Sequence, residues 1–264
     1  MPYCTKRCWL AIKKPKKKSH KGENGKLLIL AGSPLYHGAL ELAILAAVRF
    51  CDLIYVCTCK ENRALIKKLK LLTPNIILLN KKTLPKFFPK MDAFLLGCGW
   101  EDNDENCILM ENALNTKKPA VIDATALKML NPDFLHKNCT LTPHAEEFKQ
   151  LFSLPATAKS AKKMAKKFDC TILLKGPVDY IASKNKFIAV SGGNAGMTKG
   201  GTGDVLAGLC AALLAAGNPP HESAAAAAFL NKRAADELFK KMGAYYSSLD
   251  LASQLAFTAK KLSK

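Results

Sequence analysis

The chain has 264 residues, is 49% apolar, and carries a formal charge of +19 from 40 Lys/Arg against 21 Asp/Glu. It is long enough for one large α/β domain or two small ones, and too apolar for a disordered polyelectrolyte. The apolar run 205–216 is shorter than the ~20 residues of a membrane span, no secretory signal opens the sequence, and the ten cysteines contain no C-x-x-C pair that would start a zinc site or a disulfide framework.

The first 26 residues hold nine Lys/Arg against one Glu, with Pro2 and Pro15 and no sustained period. They read as a basic, partly disordered tail over 1–26, with Trp9-Leu10 as its candidate contact with the body. Cys4-x-x-x-Cys8 lacks the second pair that metal binding would need. From residue 27 a strand–helix alternation begins. Leu27 to Ala31 is a short apolar strand, followed by the loop Gly32-Ser33-Pro34-Leu35-Tyr36-His37-Gly38 and a helix from about Ala39 to Phe50. Further apolar strands follow at 53–58, 76–79, 93–97, 120–123, 140–142 and 171–175, with helices at 61–70, 103–115, 124–130, 146–152 and 159–168. Residues 178–183 and 186–190 form a hairpin around Lys184-Asn185, and 202–216, 220–241 and 246–261 are helical. Continuously apolar strands alternating with helices predict a parallel sheet covered on both faces. The expected fold is one three-layer α/β/α domain over 27–264. Cys51, Cys170 and Cys210 lie in apolar segments as small buried hydrophobes of a reducing, cytoplasmic setting.

Residues of unusual chemistry recur at the carboxyl ends of these strands, where open parallel sheets bind ligands. They are Gly32-Ser33, Gly97-Cys98-Gly99, Asp123, Thr142-Pro143-His144, Lys175-Gly176-Pro177, and the loop before Asp204. That loop is the densest feature. Six glycines fall between Gly192 and Gly203, immediately ahead of an Ala/Leu-rich helix. Glycines so close together suit a backbone that turns sharply beside a ligand. The helix they open offers unpaired N–H groups and a positive dipole end to an anion. A carboxylate repels phosphate, so Asp204 at this position is read as the group that takes a proton from an attacking hydroxyl. The structural alternative is a plain N-cap aspartate. Lys175, closing an apolar strand, is a candidate phosphate contact or a strand-end lysine reaching solvent. His144 is a helix-start residue or a ligand contact.

Asn194-Ala195-Gly196-Met197 running into Gly200-Gly201-Thr202-Gly203-Asp204-Val205-Leu206-Ala207-Gly208 resembles the signature of the NAD(P)H-hydrate dehydratase family, within the ribokinase-like superfamily. The ordered matches Tyr36-His37-Gly38-Ala39, Val121-Ile122-Asp123-Ala124, Leu141-Thr142-Pro143-His144 and Leu174-Lys175-Gly176 extend the resemblance over 25–260. It implies a ribokinase-like fold and a reaction dependent on ADP or ATP. The hydroxyl that water adds to damaged NADH or NADPH is phosphorylated, and phosphate then leaves. By that similarity Asp204 is the base, with Gly201 and Gly203 in the anion hole. Ala39, Gly97, Gly99 and His144, together with Asp204, face the hydrated dinucleotide. Lys175, Gly176, Pro177, Val178, Asp179 and Gly203 contact the adenine nucleotide. Magnesium is expected with the nucleotide, no side chain is assigned to it as a metal ligand, and a homo-oligomer is favoured. An amino-terminal epimerase domain is not seen, so that activity, if present, is expected from another chain.

The chain departs from the family pattern in three places. Gly97-Cys98-Gly99-Trp100-Glu101 stands where Gly-Pro-Gly, a small residue and a third glycine are usual. Leu40-Glu41 adds a charge near the proposed substrate, and Thr125 replaces the second acid of the fifth-strand motif. Two other readings compete: a kinase of the same superfamily acting on a vitamin-precursor alcohol, and a nucleic-acid binder prompted by the charge. The second has no use for a buried aspartate behind closely spaced glycines.

Overall fold

A computed structural model describes residues 2–264. Its sheet has nine strands: β1 (Lys26–Leu30), β2 (Leu53–Cys57), β3 (Ile76–Leu78), β4 (Ala93–Leu96), β5 (Ala120–Ile122), β6 (Cys139–Leu141), β7 (Thr171–Leu174), β8 (Asp179–Ala182) and β9 (Phe187–Val190). The spatial order is β3-β2-β1-β4-β5-β6-β7-β8-β9. Strands β1 to β7 are parallel, and β8 and β9 finish the sheet as an antiparallel hairpin. Ten α-helices accompany the strands: α1 (Lys6–Leu10), α2 (His37–Ala47), α3 (Arg63–Leu72), α4 (Asp104–Asn115), α5 (Thr125–Met129), α6 (Ala145–Phe152), α7 (Ala158–Lys167), α8 (Thr202–Ala215), α9 (Pro220–Met242) and α10 (Ser248–Leu262).

Alternate side chains of each strand feed two separate cores. Leu27 and Ile29 of β1 pack with α2, α8, α9 and α10, whereas Leu28 and Leu30 face the layer built from α4 to α7. All four are almost completely buried, which is why the run reads as uniformly apolar rather than alternating. The two helices of the first layer that bear on the site, α2 and α8, approach so closely that a Cβ on Gly208 would lie 2.3 Å from the carbonyl oxygen of Ala43. The segment 224–230, which from sequence fits a subunit interface or the interior equally well, lies in the interior of this chain.

The chain runs outward from β1 through β2 to β3, then returns to place β4 on the other side of β1. The loops leaving β1 and β4 therefore diverge, and a crevice opens between them at the carboxyl ends of the strands. The Gly32 amide donates to the Cys98 carbonyl oxygen at 2.9 Å and ties the two loops at its floor.

Two regions differ from the sequence expectation. Between β3 and β4 the chain forms short 3-10 turns, Lys81–Lys86 and Phe88–Lys90, which bury Leu84 and Phe88 against the second core. Their lysines and prolines mask that apolar contribution. The basic segment meets the body at several separate points. Tyr3 pairs with Ala189 on the outer edge of β9, and Cys4 N donates to Ala189 O at 2.7 Å. The Trp9 indole is buried edge-on to Phe50, and its N–H reaches Ala259 O and Ser263 Oγ. The expected Trp9 contact is present, and Leu10 beside it is exposed. Cys4 and Cys8 are joined as a disulfide rather than left as thiols, and the other eight cysteines are free.

Candidate active site

Helix α8 begins at Gly201, whose φ is +92°. An L side chain is strained there, and a Cβ would sit 2.3 Å from Leu42 Cδ1. The hydroxyl of Thr202 is turned away, because its Oγ1 donates to Met197 O at 2.8 Å and Lys199 O at 3.1 Å. No side chain caps the helix, so its N-terminal dipole is presented to whatever enters the crevice.

Asp204 stands in the first turn of this helix. Its carboxylate, the Cys98 thiol and the Asp123 carboxylate lie within 4.8 Å of one another. Cys98 comes from the turn after β4 and Asp123 from the end of β5. They are pressed together because Gly97 (φ +113°) brings the chain so near Asp123 that a Cβ would be 2.0 Å from the Asp123 carbonyl oxygen. Asp123 is 2% exposed and already engaged: Lys175 Nζ binds its Oδ1 at 2.8 Å, and Thr142 Oγ1 donates to the same oxygen at 2.8 Å. Glu147 lies 3.8 Å from the Lys175 ammonium. Asp204 has no salt-bridge partner among the described residues.

The electrostatics follow from this unequal sharing. Burial and then the neighbouring Asp123 push the Asp204 carboxyl up to about 6. Burial, with Asp204 and Asp123 beside it, raises the Cys98 thiol well above its ordinary value and keeps it protonated. Burial pulls Lys175 down, but Asp123 and Glu147 outweigh it, so its pKa is raised and it stays charged.

The remaining residues expected from the sequence fall into two groups around this cluster. Ala39, in the first turn of α2, packs on the turn after β4, since a Cβ on Gly99 would lie 2.8 Å from Ala39 Cβ. Gly97, Gly99 and Ala39 thus border the carboxylate cluster. On the other side is a cavity of about 630 Å³ lined by His144, Lys175, Gly176, Pro177, Asp179, Gly203 and the glycine loop. Val178 is the one member of the 175–179 run absent from its lining. His144 is the helix-start residue, its Nδ1 accepting the Glu146 and Glu147 amides as the cap of α6, and its half-exposed ring lines the cavity. The Lys175 side chain is turned inward rather than out to solvent. It is an ion-paired ammonium at the junction of cluster and cavity, with Nζ 3.5 Å from where a Gly203 Cβ would be.

Several participants were not singled out from sequence. Thr142 and Glu147 were seen only as parts of motifs, and the pairing of Cys98 with two carboxylates has no linear signature. Asn194 Nδ2 and Asn231 Oδ1 are buried in the cavity wall without a hydrogen-bond partner among the described residues. Lys232 is buried there too. The run Asn231-Lys232-Arg233 inside the otherwise apolar middle of α9 was the available signal.

The NAD(P)H-hydrate dehydratase family model matches residues 27–256. The chain belongs to this family. An ADP-dependent (S)-NAD(P)H-hydrate dehydratase of Nitrosopumilus maritimus is 36% identical, with 94% of this chain and 93% of the relative aligned. The ADP/ATP-dependent NAD(P)H-hydrate dehydratase of Bacillus subtilis, co-crystallized with ATP and Mg2+, superposes with a TM-score of 0.84 at 25% identity, covering 99% of this chain and 98% of that one. A ribokinase-like superfamily protein of Enterococcus faecalis shares the fold at a TM-score of 0.90 and 24% identity, covering 99% and 96%. The ribokinase-like architecture expected from the sequence is therefore present, and membership in the dehydratase family disfavours the vitamin-precursor kinase alternative. No helix among the described residues is long and apolar enough to cross a membrane.

Proposed function

We infer that this chain catalyses the ADP- or ATP-dependent dehydration of hydrated NADH or NADPH. The observation that carries the reading is Asp204: a half-buried carboxylate with no salt-bridge partner among the described residues, with its pKa raised to about 6, in the first turn of an uncapped helix. Such a group is a base matched to neutral pH, positioned where an anion is held. The hydroxyl of the hydrated ring loses its proton to Asp204 as its oxygen bonds to the terminal phosphorus of the nucleotide, and the bond from that phosphorus to the leaving phosphate oxygen breaks. The amides of the Gly200–Gly203 turn carry the negative charge of the phosphoryl group in flight. The ring nitrogen lone pair then expels phosphate from the carbon, and loss of a ring proton restores the dihydropyridine.

The cavity on the far side of Lys175 suits the nucleotide. It is long and mainly apolar, and the unpartnered amide atoms of Asn194 and Asn231 await polar groups there. The crevice edged by Ala39, Gly97 and Gly99 is left for the hydrated dinucleotide, with His144 at its border. Magnesium bound with the nucleotide phosphates would neutralise part of their charge. Of the clustered side chains, Asp123 would be its hard oxygen donor through Oδ2, since Lys175 and Thr142 hold Oδ1 and Asp204 is the base; the protonated Cys98 thiol is a poor match for such an ion. The exposed apolar side chains of Tyr245, Leu249 and Phe257 support a homo-oligomer.

The test uses purified protein, NADH hydrate, magnesium, and ADP or ATP. A rise in the near-ultraviolet absorbance of the dihydropyridine that requires nucleotide and is abolished in Asp204→Asn is the expected result. A folded protein that gives no rise with either nucleotide rejects the reading.

A further inference from the structure

Lys232 is 4% exposed and sits on α9, on a different element from every residue assigned to nucleotide binding by motif. Its ammonium donates to Gly176 O at 3.0 Å and to Pro177 O at 3.0 Å, and lies 3.5 Å from Asp179 Oδ2. An ammonium has three N–H donors, and these three acceptors account for all of them. Asp179 closes the same loop from its other side, accepting the Gly176 amide at 2.9 Å on Oδ1. The turn between β7 and β8 is thus fastened at both its carbonyls and its amide by one buried ion pair. Without that fastening, Gly176 and Pro177 are exposed backbone in a loop with few packing contacts, the kind of segment that opens locally.

A buried lysine is costly unless paired, and surface lysines of this chain are plentiful. Burying one in the apolar middle of α9 therefore needs a return, and the geometry shows where it goes. Lys232 has no donor left for a ligand, yet it lines the same cavity as the loop it holds.

We propose that Lys232 is a positioning residue for the nucleotide: it fixes the 175–179 turn in the shape that forms one wall of the nucleotide cavity. The proposal rests on the reading of that cavity as the nucleotide site. Fixing the loop in advance spares the nucleotide the entropy of ordering it, so the effect falls on nucleotide affinity rather than on the chemical step.

The experiment compares full-length wild type, Lys232→Met and Lys232→Arg. ADP and ATP binding are measured by titration calorimetry, amide hydrogen exchange over 174–180 is followed without nucleotide, and turnover is measured at saturating nucleotide. In Lys232→Met, Kd and the KM for nucleotide rise at least tenfold, the loop amides exchange at least tenfold faster, and kcat stays within threefold of wild type. Lys232→Arg, which keeps the charge and several donors, recovers most of both the affinity and the protection. Should Lys232→Met not yield folded protein, Lys232→Gln carries the same measurements. A folded Met or Gln variant that binds nucleotide like wild type, or exchanges no faster in the loop, overturns the proposal. So does a fall in kcat with KM unchanged. If wild type itself binds neither nucleotide, the functional reading fails with it, an outcome separate from normal binding in the variant.

Discussion

Lys175 bonds to Asp123 at 2.8 Å, while Asp204, whose carboxylate lies within 4.8 Å of the Asp123 carboxylate, has no salt bridge among the described residues. Two neighbouring carboxylates beside a single cation are thereby made unlike. One anchors the lysine; the other is left with a proton affinity suited to catalysis.

The first consequence is a pH limit. A base must be ionised to act, so kcat/KM falls as pH drops through the Asp204 pKa of about 6, about tenfold per unit below it. Asp123 is the second cause of the upward shift, after burial. Asp123→Asn removes that repulsion and moves the acid limb to lower pH in whatever activity remains. A pH–kcat/KM profile from 4.5 to 8 checks both; an acid limb unmoved in Asp123→Asn would contradict the assignment.

Asp204 also opposes folding at neutral pH. Its folded pKa lies above that of an unfolded aspartate, so the folded state binds the proton more tightly and stability declines as pH rises from about 4 through about 6. Asp204→Asn should therefore abolish turnover and raise the melting temperature. The gain is on the order of 2 kcal/mol at pH 8, or several degrees for a chain of this size, and it shrinks as pH falls below 6. Thermal melts of the two proteins at pH 5 and pH 8 measure it; a variant less stable than wild type at pH 8 would sink this account.

The succession of strands along the chain and the α/β layering were legible because strands buried on both faces, such as Leu27 to Leu30, can be little else. The helix opened by the glycine loop was legible because few other structures use Gly200, Gly201 and Gly203 together. The division of labour at the site was not. Lys175 closes an apolar strand in the sequence as a phosphate-binding lysine would, and only the placement of β5 beside β6 and β6 beside β7 shows that Asp123 and Glu147 claim its charge. Cys98 gave no sign of lying between two acids, because Asp123 and Asp204 reach it from elements 25 and 106 residues away in the numbering. The docking points of the amino-terminal segment were hard to read from its composition. Its lysines are on the surface, but Cys4, Trp9 and Ile12 among them are buried, and isolated apolar residues in a basic segment leave no period to detect.

Neighbouring glycines of the anion turn should respond differently to one methyl group. A Cβ on Gly200 meets nothing within 4 Å, and no strained φ forbids it. On Gly201 it would lie 2.3 Å from Leu42 Cδ1 at a φ of +92°. Gly200→Ala is expected to fold with stability within about 0.5 kcal/mol of wild type, whereas Gly201→Ala loses about 2 kcal/mol or more and tilts the start of α8. Urea unfolding, with kcat measured on the folded fraction, separates the two; equal stability of the two variants would contradict the turn as described.

The amino-terminal arm makes a prediction independent of the chemistry. Trp9 is 6% exposed, packs on Phe50, and bonds through its indole N–H to Ala259 O and Ser263 Oγ, so it joins α1 to the end of α10. Trp9→Ala removes a large buried aromatic and leaves the Ala259 carbonyl without that donor, a loss of about 3 kcal/mol. The site is at the carboxyl ends of the strands, and Trp9 contacts none of its residues. Turnover per folded molecule should therefore stay within twofold of wild type. Denaturant melts paired with the near-ultraviolet assay decide the matter: a stable but inactive Trp9→Ala protein would mean that the arm reaches the chemistry, and an unchanged melt would mean that it is not docked as described.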